Sequence, residues 1–419
     1  MIDFVPKSPT AARYVADVKQ VTRVPILSKI SEPSLPEQIR SRQTAVAAHA
    51  AWGDVIRIVG VIAVIASHIT SDIIQGQYVR YVPDKTQWLT TTDFWTANLI
   101  DSFCRFAVPL FVMLSGALLL KARPINAMEF YKRRLSRVLV PAAFFTTLFG
   151  ILVVRAGGFE ALAHNMALGA PASHLHFVFR IIGLYAFTPM LCVFLAGANR
   201  NLVWWTTGLI FALGSLDGMI VPLMGYHTTI VGMFVPFLGY YLAGYLLKDT
   251  VIGWTAWRFS VAGVIVGWAC VAIGTGLLWQ HSGQIHLATD NAVGMLFYDF
   301  LNPARILMSV CAFLIIRKLF DKPWPADSKF FRFVSFTLAP ATLGIYLMHP
   351  LMQGLLTKVG LHSYALPVWI CVPLLTGLIL ISTSVIVIAM MRVPLLNWLV
   401  GGRIGSRQSQ SQSQSQSQS

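Results

Sequence analysis

Residues 57–70 read RIVGVIAVIASHIT, with Arg57 and His68 bracketing ten largely apolar residues. The stretch sits inside an apolar run at 53–73, about the 20 residues that one helical crossing of a bilayer needs. Read as a helix, the eleven-residue spacing is three turns plus about 20°, so Arg57 and His68 project from one face about 16 Å apart. Gly60 and Val64 fall on the same stripe. A purely structural alternative has Arg57 snorkelling to the surface and pairing with Asp54 one turn earlier, with His68 a satisfied core histidine.

The rest of the chain repeats this pattern. Of 419 residues, 56% are hydrophobic and 12% charged, and the mean hydropathy is +0.65, which excludes an ordinary soluble domain. Apolar runs fall at 53–73, 95–120, 135–155, 174–196, 203–222, 229–247, 258–279, 292–316, 336–357 and 365–391. None alternates with period two, so helices are expected rather than a barrel. The predicted class is an all-α polytopic membrane protein with about ten transmembrane helices. All five cysteines lie inside these runs without CxxC or Cys/His spacing and are expected to be core residues, not disulfides or metal ligands.

The net charge of +15 raises nucleic acid as a partner, but the positions of the charges argue for membrane topology. With loops assigned alternately to two sides, 24 lysines and arginines fall on the side of the termini and four on the other. That asymmetry predicts both termini in the cytoplasm and no nucleic-acid partner. Residues 1–50 read as a cytoplasmic extension, 51–392 as the transmembrane domain and 393–419 as a cytoplasmic tail. From about residue 406 the tail is a Ser/Gln repeat that cannot bury apolar surface, so disorder is expected there. No cleaved signal peptide is evident at the N-terminus, so the first run is expected to act as its own insertion signal.

Four arginines lie within runs, at 57, 105, 180 and 305. A central arginine costs about 2.5–3.5 kcal/mol to insert even on lenient scales, so four imply a polar interior. His68, His174, His176 and His349 join them. The run DSFCRFAVPLFVMLSGALLL holds Arg105, Pro109 and Ser115; Asp101 could pair with Arg105, and Pro109 predicts a kink. Arg134 and Arg137, in YKRRLSRVLVP, sit at i, i+3, a spacing that suits either two guanidiniums presented on one face to a phosphate-rich ligand or a plain positive-inside anchor at the cytoplasmic surface. His174 and His176 are too close for a helical metal pair, so no metal site is expected. Tyr346 and His349 share a face, and Tyr298, Asn302 and Arg305 are predicted to share another.

Five motifs in order, RIVGVIAVIASH, RFAVPLFVMLSG, RLSR, HLHFVFRIIGLYAFTP and LGIYLMHP, give residues 50–392 a resemblance to the membrane acyltransferase 3 family. That family includes bacterial O-acetyltransferases of polysaccharides and O-antigens. The resemblance implies an acyl-CoA-dependent O-acyltransferase that moves acetyl from acetyl-CoA onto a sugar hydroxyl, with no bound cofactor. It implies catalytic roles for Arg57 and His68, which correspond to an essential pair, with His68 either base or carrier of the acyl group, and donor binding by Arg134 and Arg137. Arg105 is assigned to charge stabilisation, Ser115 to the donor, and His174, Tyr185, Arg305, Tyr346 and His349 to the acceptor. The chain departs from the family where His176 replaces a tryptophan and Arg180 an apolar residue, so acceptor contacts are expected to differ.

The implied setting is a bacterial inner membrane. The expected partners are acyl-CoA, a glycan on a lipid carrier, membrane lipid and polysaccharide-assembly proteins. The chain resembles the stand-alone form of the family, without an attached soluble hydrolase domain. A secondary transporter or flippase is the competing expectation, since intramembrane arginines and histidines also suit an anionic substrate. Against it stands the scarcity of mid-run carboxylates, Asp217 and Asp299 being the candidates.

Overall fold

The computed structural model describes residues 35–74, 91–167, 171–223, 234–281, 296–322 and 328–401. The expected extension before residue 35 and the tail after 401 lie outside the described residues. Two compact units divide the chain, Met1–Ala45 and Val46–Ser419. In the first, the backbone from Leu35 onward is helical.

The second unit is a helical bundle, and no strand occurs among the described residues. The described helices are α1 (Leu35–Ile74), α2 (Thr91–Cys104), α3 (Ala107–Leu119), α4 (Ala127–Phe130), α5 (Ser136–Ala167), α6 (His176–Gly197) and α7 (Arg200–Leu223). They continue with α8 (Leu238–Leu247), α9 (Trp254–His281), α10 (Pro303–Leu319), α11 (Lys329–Phe333), α12 (Ala339–Lys358), α13 (Val368–Arg392) and α14 (Leu396–Leu399). Among the described residues nine helical segments are long and apolar enough to cross a membrane, and Val235–Leu247 is a shorter apolar helix. The run expected at 229–247 is this shorter helix, its first residues lying outside those described. The protein is therefore a multi-pass, all-α membrane protein.

Its surface is built for lipid: Trp205 on α7 is 79% exposed and Ile381 on α13 is 65% exposed. With lipid outside as apolar as the interior, close packing holds the helices together. The tightest crossing joins α3 to α8. A Cβ on Gly116 would collide with the Tyr241 carbonyl oxygen, and one on Gly244 with that of Met113. Two glycines thus let two backbones touch directly. Next to this crossing, the Thr188 and Tyr241 hydroxyls share a 2.8 Å hydrogen bond that ties α6 to α8.

Local chemistry explains where the expected runs break. The second run is split between α2 and α3 at Arg105–Phe106, four residues before Pro109, whose missing N–H removes the bond to the Arg105 carbonyl. In α5, Gly158 adopts φ +79° and ψ −177°, which only glycine accepts readily, so the helix kinks there and resumes beyond it. The eighth run does not form one helix as expected. Asn302 caps α10 through Ala304 N at 3.0 Å with Pro303 at the first helical position, and Tyr298 lies in the 3₁₀ turn before it. Tyr298, Asn302 and Arg305 accordingly do not share a helical face.

Two further expectations are corrected. Residues Tyr131–Leu135 form a π-helical turn, so Arg134 lies in that wider turn and Arg137 in α5, not on one regular helix. Of the cysteines, four are buried as expected, but Cys270 on α9 is exposed; all five are free thiols.

Candidate active site

Three histidines from separate parts of the chain meet inside the bundle. His68 comes from α1, His174 from the 3₁₀ turn Ser173–Leu175 and His349 from α12. Ring centroids are 5.0 Å apart for His68 and His349, 5.9 Å for His174 and His349, and 6.5 Å for His68 and His174. His349 is fully buried and His174 nearly so, and among the described residues the Nε2 atom of each has no hydrogen-bond partner.

The LMHP sequence fixes one of these rings. Pro350 has no N–H to give to the Tyr346 carbonyl one turn back, and His349 Nδ1 donates to that oxygen at 2.6 Å. The proton is therefore on Nδ1, and Nε2 presents a lone pair. The Tyr346 hydroxyl donates to the His174 carbonyl, linking the second ring to the same helix.

Beside the histidines lies a buried polar network centred on Asp101 of α2. Its carboxylate accepts from Ser67 Oγ at 2.8 Å and forms an ion pair with Arg105, which also donates to Ser71 Oγ at 3.2 Å. The Arg105 guanidinium stacks 4.0 Å from the Tyr298 ring centroid, and Tyr298 donates to Asn98 Oδ1 at 2.6 Å. Arg305, almost fully buried, donates Nε to the Arg105 carbonyl at 2.8 Å and Nη1 to the Tyr298 carbonyl at 2.5 Å. The first of these acceptors is the oxygen that Pro109 leaves free. Ser67 and Ser71, one turn apart on α1, carry this network to the residue next to His68.

The other end of the α1 stripe gathers a second group. Arg57 pairs with Asp54 at 2.6 Å, and Ser335 lies beside Asp54. Tyr185 lies beside Ser115 and within electrostatic reach of Arg134 and Arg57. Tyr185 thus keeps company with the residues expected at the donor rather than with the histidines. Arg137 is exposed at the start of α5. Between the two groups, Gly60 abuts the Phe111 ring, where an added Cβ would come within 2.7 Å of Cζ. Phe111 packs 5.7 Å from Phe177, which packs 5.3 Å from Tyr346.

Both local pairings that the spacing allowed, Arg57 with Asp54 and Arg105 with Asp101, are formed. Sequence reasoning missed Ser67, Ser71 and Asn98; the i, i+4 serines beside His68 were the available signal. Among the described residues no group of three His, Cys, Asp or Glu side chains is arranged to hold a metal ion.

The family model described as an acyltransferase domain, Acyl_transf_3, matches residues 51–391. The chain belongs to the acyltransferase 3 family. No curated protein and no solved structure matches it. Like its family, this chain is a membrane acyltransferase, and the chemistry requires a base, a site for an oxyanion and a donor grip. In this acyltransferase 3 protein His174 and His349 offer unpartnered ring nitrogens among the described residues, Arg105 lies within electrostatic reach of His68, and the Arg57 end gathers cations around Tyr185.

Proposed function

We propose that this acyltransferase moves an acetyl group from cytosolic acetyl-CoA onto a hydroxyl of a cell-surface or exopolysaccharide glycan at a bacterial inner membrane. The observation that carries the reading is the triple-histidine contact, with its unpartnered ring nitrogens, three turns along α1 from Arg57. Both termini and the Arg57 end face the cytoplasm in this proposal, in keeping with the distribution of lysine and arginine.

Arg134 and Arg137 hold the phosphates of coenzyme A, Ser115 and Tyr185 line the path of its thioester arm, and Arg57 stands at the entrance. His68 takes the proton of the acceptor hydroxyl as that oxygen attacks the thioester carbonyl. Arg105 faces the resulting oxyanion. The intermediate collapses by breaking the C–S bond, and the coenzyme A thiolate recovers the proton from His68. His174, His349, Tyr346 and Arg305 surround the acceptor.

The test uses membranes carrying the full chain, labelled acetyl-CoA and extracted glycan acceptor. His68→Ala is expected to lower transfer by about 10²- to 10⁴-fold with unchanged protein level. Near wild-type transfer would remove His68 from the mechanism. Uptake of label without thioester cleavage would favour a transporter instead.

A further inference from the structure

Of the four arginines at 57, 105, 180 and 305, Arg180 forms no ion pair among the described residues and takes no part in the networks above. It lies on α6 one turn after His176, and the two are within electrostatic reach of each other. Its guanidinium carbon sits 4.6 Å from the ring centroid of Phe300 and 4.7 Å from that of Phe237, two rings themselves 5.1 Å apart. Its Nε is buried and without a hydrogen-bond partner among the described residues.

The surroundings do not neutralise it. Phe300 also carries the guanidinium of Arg305 at 3.9 Å, so one ring supports two cations. The carboxylate nearby is Asp299, which acts on Arg180 and Arg305 from beyond ion-pair distance and already accepts from Leu301 N at 2.7 Å. Asp101 is committed to Arg105. Among the described residues, three guanidiniums at 105, 180 and 305 therefore face two carboxylates. A stacked guanidinium keeps its planar fork of N–H donors for a carboxylate or phosphate.

Location ties this unused cation to the histidines. Arg180 is within electrostatic reach of Tyr346, whose ring lies 5.8 Å from His349 and whose hydroxyl donates to the His174 carbonyl. Phe177, on α6 between His176 and Arg180, packs on Tyr346.

We propose that Arg180, backed by His176, binds an acidic group of the acceptor, a carboxylate or a phosphate, and so selects an anionic glycan. The inference rests on the acceptor reading given above and names the chemistry that the acceptor carries.

The experiment uses the full chain in detergent, as wild type, Arg180→Gln and Arg180→Lys, each checked for a monodisperse elution profile. Three probes are compared: a glucuronic-acid oligosaccharide, its carboxyl-reduced twin, and the reduced twin bearing a glycosyl phosphate. Binding and acetyl transfer are both read. Wild type is expected to prefer one acidic probe over the neutral one by about ten- to hundredfold, the loss of a charge-assisted hydrogen bond. That preference should disappear in Arg180→Gln and return in part in Arg180→Lys. Preference for the uronate assigns the charge to the sugar, and preference for the phosphate assigns it to the carrier linkage. Equal binding of all three probes by wild type, or an acidic preference unchanged in Arg180→Gln, overturns the subsite. Arg180-dependent acidic binding without transfer to any probe supports the subsite while refuting these glycans as acetyl acceptors.

Discussion

The Nδ1–H of His349 donates to the Tyr346 carbonyl at 2.6 Å, an oxygen left free because the residue one turn on is Pro350. A helix-breaking residue here orients an imidazole in the core. Replacing Pro350 by Ala restores the competing N–H and draws the carbonyl back to the helix axis. The Nδ1–H tautomer should then share its population with Nε2–H, and turnover should fall by roughly tenfold or more, within the range of acid–base contributions. Nitrogen-15 chemical shifts of His349 beside kcat check this; an unchanged tautomer ratio would show that Pro350 has no part in setting it.

Asp101 is fully buried and pairs with Arg105. Asp101→Asn leaves a cation without its partner and is expected to cost about 3–5 kcal/mol, whereas the double change with Arg105→Met removes both charges and should recover most of it. Thermal unfolding in detergent, followed by tryptophan fluorescence, distinguishes the two. A double variant no more stable than Asp101→Asn would count against the pairing as the source of the loss.

Gly60 gives the Phe111 ring its place between the two ends of the α1 stripe. Gly60→Val should displace that ring and lower acetyl transfer, and adding Phe111→Ala should restore transfer toward wild type. Relative initial rates in membranes decide it, since a loss that Phe111→Ala leaves untouched would place the effect elsewhere on α1.

At the α3–α8 crossing the obstacle is backbone on both sides, so side-chain rotation cannot relieve it. Gly116→Ala and Gly244→Ala are each expected to destabilise by about 1–3 kcal/mol. Their effects should not add, because the first separation of the helices makes room for the second methyl group. Unfolding midpoints of the two single variants and the double variant measure this directly.

The spans were legible in the sequence because length and hydropathy alone decide whether a helix can cross a bilayer. The stripe from Arg57 to His68 was equally legible, since both residues lie on a single uninterrupted helix. The convergence of His68, His174 and His349 was not, because it depends on how three elements far apart in sequence pack together. Local breaks also changed the expected faces. A π turn put Arg134 out of register with Arg137, and the Asn302–Pro303 cap separated Tyr298 from Arg305. Pro109 and Pro350 were visible throughout, but which donor would take each freed carbonyl depended on tertiary placement.

The link from Arg305 to the Arg105 carbonyl has one further consequence. Where a buried cation leans on a carboxylate, acid can remove its support by protonating the partner; a peptide oxygen does not titrate in that way. Through this contact Arg305 is held by an uncharged dipole whose strength is the same in acidic and alkaline surroundings. A span interrupted by proline has in effect exchanged one helical hydrogen bond for an acid-proof anchor.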